Sequence, residues 1–409
     1  MLDNILQTVR LAARNLVRQR RRGMLALLTV CGGVVAYLLA GGFIQWIFHD
    51  MRESTIHSQL GHIQITRPGY FREGLGDPYR YLLPATTDAF SAVGARGVRA
   101  ITPRLAFSGL LSKGDATVSF VGEGIDPERE APISRAITIV SGHDLANAGP
   151  ESVLLGEGLA ANLGAQAGDT VVLLATTAKG GINAVELEVA GTFATITKAY
   201  DDTVLRTPVN VARRLMAVDG ATSWVALLDA TEQTEATVET LRQELPAADF
   251  EIVPWIDLAD FYNKTVELFS RQIGVVRVLI ALIVVLSISN TLSMAVIERT
   301  SEIGTSMALG VRRRGILALF LCEGALLGVV GGMAGLILGF AFAHLISWIG
   351  IPMPPPPGMA RGYIGQIEIT PALAVDGFLL AFGTTLVASF FPAWKASRMN
   401  VVDALRQQA

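Results

Sequence analysis

The sequence has 409 residues, 51% hydrophobic and 17% charged, with a mean hydropathy of +0.45. Soluble globular chains carry about 25% charge, so this balance points to an integral membrane protein. A formal net charge of −3 speaks against a general nucleic-acid binder, and two cysteines, Cys31 and Cys322, exclude a disulfide framework or a zinc site.

Residues 1–23 place Leu2, Ile5, Leu6, Val9, Ala13 and Leu16 at helical spacing, with Arg10, Arg14 and Arg18 mostly elsewhere on the wheel. This predicts a basic amphipathic helix on a membrane surface, or a plain helical leader to the span behind it. Arg20-Arg21-Arg22 then abuts an apolar run over 24–48, about 25 residues and enough to span. The run is too long, and too far from the start, for a cleaved signal peptide.

Residues 49–272 change character, alternating polar and apolar segments with turn signals at Arg67-Pro68-Gly69, Lys113-Gly114-Asp115 and Lys179-Gly180-Gly181. Strand-like alternation marks 62–66, 116–121, 170–174, 185–193 and 250–253. Helical spacing joins Leu155, Leu159 and Leu163 over 153–163, and Val238, Leu241 and Leu245 over 235–245. The reading is a mixed α+β domain of about 220 residues with two lobes, the smaller inserted at about 130–223. Residues 262–277, with Lys264, Arg271 and Arg277, extend the next span as a stalk.

Three further spans are predicted at 273–297, 316–349 and 372–394. The second of these is too long to cross upright, so it tilts, bends or projects beyond the lipid. Between it and the last span, the 350–371 loop carries Pro354-Pro355-Pro356-Pro357, which cannot continue a helix and suits a stiff polyproline-like loop. Six arginines precede the first span, four lie in 298–315, and Lys395, Arg398 and Arg406 follow the last, whereas 350–371 has only Arg361. The charge asymmetry predicts both termini and 298–315 in the cytoplasm, with 49–272 and 350–371 outside.

No P-loop and no His-Glu-x-x-His spacing occurs. Among the five histidines, His57 and His62 near Glu53 read as ordinary polar residues rather than a metal pair. Asp201-Asp202 reads as a solvated turn. Glu323 and Asp376 are the two carboxylates placed inside apolar runs, the first near the cytoplasmic interface and the second near the outer end of its span. Gly324, Gly328 and Gly332, and likewise Gly331, Gly335 and Gly339, recur every four residues, which lets helix backbones approach closely. They mark either packing inside one subunit or a seam between two copies.

The sharpest stretch is Glu298-Arg-Thr-Ser-Glu-Ile-Gly-Thr-Ser-Met-Ala-Leu-Gly310, a short charged helix between two spans with Arg312-Arg313-Arg314 behind it. Ile303, Met307 and Val311 share one face, with Glu298, Glu302 and Thr305 elsewhere. It reads as a docking surface for a cytoplasmic partner, or as an amphipathic turn resting on lipid headgroups.

This stretch resembles the segment after the second span in ABC-transporter permeases of the MacB, LolC/LolE and FtsX group. Glu323-Gly324 with the repeated glycines fits the same pattern. So does Phe391-Pro-Ala-Trp-Lys-Ala-Ser-Arg-Met-Asn-Val-Val-Asp-Ala-Leu-Arg406, except that Val401 stands where proline is usual. Leu155-Gly-Glu-Gly-Leu-Ala160, Gly168-Asp-Thr-Val171 and Val189-Ala-Gly-Thr-Phe193 resemble the group's external domain. The resemblance implies a mechanotransmission permease with four transmembrane helices and a two-lobed, Porter/Sabre-like α+β domain outside the inner membrane. It implies a dimer, with a second copy or a paralogue, and two copies of an ABC ATPase, which binds the ATP and Mg; this chain itself holds no cofactor. Glu298, Arg299, Glu302, Ile303, Gly304, Met307, Leu309 and Gly310 would form the helix coupled to that ATPase. Size and four-span layout fit LolC/LolE best, implying lipoprotein or other lipid-anchored cargo and a periplasmic carrier. The carrier-capturing hook is absent, since 175–184 is short and has no proline. A MacB-like exporter with a periplasmic adaptor and an FtsX-like regulator of a cell-wall hydrolase are the other family readings. A stand-alone receptor or membrane-anchored enzyme is the reading outside it.

Overall fold

The structure, a computed structural model, describes residues 2–18, 20–74, 76–84, 88–94, 97–355, 358–359 and 362–399, with 2–6, 17, 20, 88 and 92 by backbone alone. The side chains of Leu2, Ile5 and Leu6, and residues Pro356, Pro357, Arg361, Val401 and Arg406, on which expectations rested, lie outside the described set. The chain divides into two units. One comprises Met1–Phe48, Val266–Pro352 and Ile364–Ala409; the other comprises His49–Thr265 and Met353–Tyr363.

The first unit is helical because its runs are apolar on nearly every side, and a helix satisfies its own backbone where water is absent. Four helices, Arg20–Thr55, Asp260–Glu298, Arg313–Ile349 and Pro371–Ser397, are long and apolar enough to cross a membrane. Val30, Val34 and Leu38 of the first pack with Val284 and Ile288 of the second, Leu327 of the third and Ala381 of the fourth. The third runs unbroken for 37 residues. At 1.5 Å per residue it is roughly 56 Å long and outlasts a hydrocarbon layer of about 30 Å. The N-terminal helix Leu2–Arg18 buries Ala12 and leaves Arg10 and Arg14 exposed.

The second unit is α+β. Its strands are β1 (Ile63–Thr66), β2 (Val98–Lys113), β3 (Ala116–Ile125), β4 (Thr138–Gly142), β5 (Ser152–Gly156), β6 (Thr170–Thr176), β7 (Ile182–Ala194), β8 (Val204–Pro208), β9 (Ser223–Leu228) and β10 (Glu251–Pro254). They form one path, β10-β1-β9-β2-β3-β8-β5-β7-β4, with β6 against β2 and β7. Two cores divide it. Ile63, Ile65, Phe90, Trp224 and Leu241 make one, and Leu105, Phe107, Phe120, Leu155, Leu187 and Leu205 the other. Alternation along β9 sends Trp224, Ala226 and Leu228 into the first core and Val225 and Leu227 to the opposite face, against Ile56 and Trp255.

Four expectations change. The second lobe begins within β2, near Leu105, rather than at about 130, because the outer half of β2 pairs with β3 and β6, and β3 pairs in parallel with β8. The helical reading of 153–163 divides at Gly156 into β5 and the helix Glu157–Leu163. Leu155 is therefore a strand residue that shares a core with Leu159 and Leu163. Asp201 is buried and accepts hydrogen bonds from Thr195 N at 3.0 Å and Thr195 Oγ1 at 2.8 Å, so it is not a solvated turn. The loop over 350–371 contains a ladder, Ile351–Met353 with Tyr363–Gly365, and Gly358 O accepts from Lys198 N at 2.9 Å.

Candidate functional site

The segment between the second and third long helices is built around one turn of chain. Arg299, at φ −102° and ψ 15°, breaks the second long helix, and Thr300 Oγ1 donates to Val296 O at 3.1 Å and Ile297 O at 2.8 Å. Those two carbonyls would otherwise lack donors. A short helix, Thr300–Ala308, follows and stops before Gly310, whose φ of +99° suits glycine. Ile303 drops inward onto Val296, Ile316, Phe320, Ala393 and Ala396, and Met307 packs partly against them.

A polar network ties this helix to its neighbours. Glu302 accepts from Arg18 Nη2 at 2.5 Å and Arg299 Nε at 3.2 Å. The hydrogen bond from Arg18 is the main reason its carboxyl sits below the usual glutamate range. Arg299 Nη1 also donates to Glu323 Oε1 at 3.1 Å, and Asn15 Nδ2 donates to the same oxygen at 2.8 Å. The Arg299 guanidinium lies 5.9 Å from the Phe320 ring centroid, and Arg22 pairs with Glu298. The N-terminal helix, the short helix and the base of the third long helix are thus pinned through two carboxylates. Glu323 is buried, and these donors explain how a carboxylate is tolerated there.

The proposed coupling set is only partly solvent-facing. Glu298, Glu302, Leu309 and Gly310 are exposed, Arg299 and Met307 are half-buried, and Ile303 and Gly304 are buried inside this unit. Val311 does not share the face of Ile303, because the helix ends at Ala308 and Val311 is exposed. What remains open to a partner is Thr305, Ala308, Leu309 at 83% exposure, Val311 and Arg312-Arg313-Arg314. Asn15 and Arg18 were not singled out from the sequence as partners of this segment. They lie hundreds of residues away in sequence, and no spacing rule reaches them.

Both glycine rows are occupied by the chain's own helices. A Cβ placed on Gly331 would stand 2.9 Å from Val30 Cβ, on Gly335 2.6 Å from Val34 Cβ, and on Gly339 2.6 Å from Leu38 Cδ1. The other row faces the fourth long helix, with Gly324 against Ser389, Gly328 against Thr385 and Gly332 3.1 Å from Phe378. Within this chain both rows thus pack against its own first and fourth long helices. Near the start of the fourth long helix Asp376 accepts from Arg277 Nη2 at 2.8 Å and from Tyr37 Oη. No group of three metal-binding side chains forms among the described residues.

Residues 24–244 match the family model of the MacB-like periplasmic core domain, and residues 274–401 that of the FtsX-like permease C-terminal. The chain belongs to this MacB-like family. An uncharacterized ABC transporter permease of Methanocaldococcus jannaschii is 25% identical over 54% of this chain and 55% of its own length. A macrolide export ATP-binding/permease protein MacB of Hyphomonas neptunium is 31% identical over 44% of this chain and 26% of its own. The match spans 55% of the first relative and 26% of the second. The periplasmic region of MacB from Actinobacillus actinomycetemcomitans aligns over 51% of this chain and 94% of that chain, at 16% identity and a TM-score of 0.36.

Proposed function

We propose that this MacB-like chain is the membrane-spanning permease subunit of an ABC transporter. It relays the ATP-driven movement of a partner ATPase to its α+β unit and performs no catalysis itself. The observation that carries this reading is the short helix Thr300–Ala308. Its inner face is locked by Ile303 and by the Arg299, Glu302 and Glu323 network, while Leu309 and the basic stretch behind it are left open. Such a helix transmits a push because it cannot yield against its own unit. The ATP and Mg belong to the ATPase, two copies of which serve two permease copies. Arginine counts support a cytoplasmic position for this helix and a position outside the inner membrane for the α+β unit.

For the cargo, similarity to a macrolide export protein favours export with a periplasmic adaptor over extraction of a lipid-anchored molecule. Extraction, with a periplasmic carrier, is the second reading, favoured by a chain order with one large α+β unit between the first two of four long apolar helices.

Leu309→Asp tests the relay. Leu309 is exposed, so thermal stability should stay within about 0.5 kcal/mol of wild type. Binding of the co-expressed ATPase, measured by titration in detergent, should weaken at least about tenfold if Leu309 anchors the contact. Unchanged ATPase binding together with unchanged ATP turnover would sink the reading.

A further inference from the structure

The first long helix ends inside folded protein. After Thr55 it continues as one wide turn, Ile56–Leu60, and stops at Gly61, whose φ is +64°. A helix leaves its last carbonyls without donors of its own. Here all five carbonyls of 56–60 have one. Gly61 N donates to Ile56 O at 2.9 Å, Ala136 N to His57 O at 3.0 Å, Arg206 Nη2 to Ser58 O at 2.8 Å, Arg104 Nη1 to Gln59 O, and Gln64 Nε2 to Leu60 O at 3.1 Å.

Two of these donors are guanidinium groups taken almost wholly out of water: Arg206, on β8, is 1% exposed and Arg104, on β2, is 5% exposed. Cations at a helix C-terminus complement its dipole. Each is itself held. Arg206 Nε donates to Glu123 on β3 at 3.0 Å, Nη1 to Ser134 Oγ at 2.8 Å and Nη2 to Tyr200 Oη at 3.1 Å. Arg104 pairs with buried Glu130, which also accepts from Ser134 Oγ at 3.1 Å. Burial pushes the Glu123 carboxyl up, but Arg206 and Arg104 outweigh it and hold it below the usual range. Tyr200 lies on the short helix Lys198–Asp201, whose Lys198 N holds Gly358 of the proline hairpin. Buried ion pairs are seldom more stable than apolar packing of the same volume, whereas a pair missing one partner is strongly destabilising. This network therefore fixes a geometry more than it adds stability.

We propose that Arg104 and Arg206 are positioning residues that clamp the end of the first long helix to β2, β3 and β8, so that displacement of the helix is delivered to the second lobe. This rests on the relay reading above.

Hydrogen exchange on the full chain in nanodiscs, with its co-purified ATPase, tests it, comparing nucleotide-free and ATP-trapped states. In Arg206→Leu, amides 58–61 should exchange about tenfold faster or more, as expected for loss of a charge-assisted bond, while β5 stays protected. The ATP-dependent change in protection should persist in 298–310 and vanish in β4 and β7. Arg206→Lys, which keeps the charge but not the fork, should restore part of the lobe response, and it decides the matter if Arg206→Leu does not fold. Undisturbed exchange at 58–61, or a lobe that still responds in the leucine variant, would overturn the clamp. Loss of the response in 298–310 in wild type would instead overturn the relay.

Discussion

At the scale of single residues, His62 links fold and pH. Its Nδ1 accepts from Leu228 N at 3.1 Å, which leaves Nε2 to donate to Thr231 Oγ1 at 3.0 Å, and Thr231 Oγ1 donates on to Glu53 at 2.9 Å. The chain needs a neutral ring, because a protonated Nδ1 has nothing to offer the Leu228 amide. Burial, helped by the nearby His57, lowers the His62 pKa from 6.5 to about 4. Between those values the unfolded chain binds the proton and the folded chain does not, so stability is full above pH 6.5 and falls as pH drops toward 4. The shift corresponds to on the order of 3 kcal/mol in full, about 2 kcal/mol of it by pH 5. Thermal unfolding of the full chain in detergent should show this slope in wild type and a clearly smaller one in His62→Gln. An equal slope in both would refute the assignment. This pairing was hidden in the sequence, where His57 and His62 look like polar residues of a strand entry.

At the scale of elements, the glycine rows make the sharpest claim. Gly335→Leu forces a side chain into Val34 and should cost about 1–3 kcal/mol. Gly383→Leu, on the fourth long helix with nothing within 4 Å of its Cβ position, should stay within about 0.5 kcal/mol of wild type. Thermal unfolding in one detergent compares them, and equal midpoints would remove glycine packing as the cause. Spacing alone disclosed that these glycines pack. It did not disclose against what, because Val30, Val34 and Leu38 lie about 300 residues before their partners and Phe378, Thr385 and Ser389 about 45 to 65 after. The same limit explains the other misses. The strand-to-helix junction at Gly156 keeps Leu155, Leu159 and Leu163 in one core, so helical spacing persists where the helix does not. Arg104 and Arg206 stand singly in the sequence, where no local pattern pairs them, and only the long pairing of β2, β3 and β8 brings them under the end of a helix. By contrast the short helix Thr300–Ala308 between two long ones was legible, because charge, length and the flanking apolar runs are all local.

At the scale of the whole molecule, two independent features support the orientation we propose. Gly358, between the third and fourth long helices, accepts from Lys198, so 353–363 and 49–265 belong to one folded unit and must lie on one side of the membrane. Four crossings satisfy that requirement, because the first and third connections then share a side while 1–23, 298–315 and 395–409 share the other. Six arginines before the first span and four in 298–315, against Arg361 alone in 350–371, support the proposal that the latter set is cytoplasmic. Cysteine labelling reads this directly. In a background with Cys31 and Cys322 replaced by alanine, Lys179→Cys sits in the exposed turn between β6 and β7, and Val311→Cys sits behind the short helix. A membrane-impermeant maleimide should modify the first in cells whose outer barrier has been opened and the second only after lysis. Labelling of Val311→Cys before lysis would invert the molecule and remove the ATPase from reach of the short helix. Labelling of both before lysis would break the four-crossing count itself, and with it the requirement that the hairpin and the α+β unit meet.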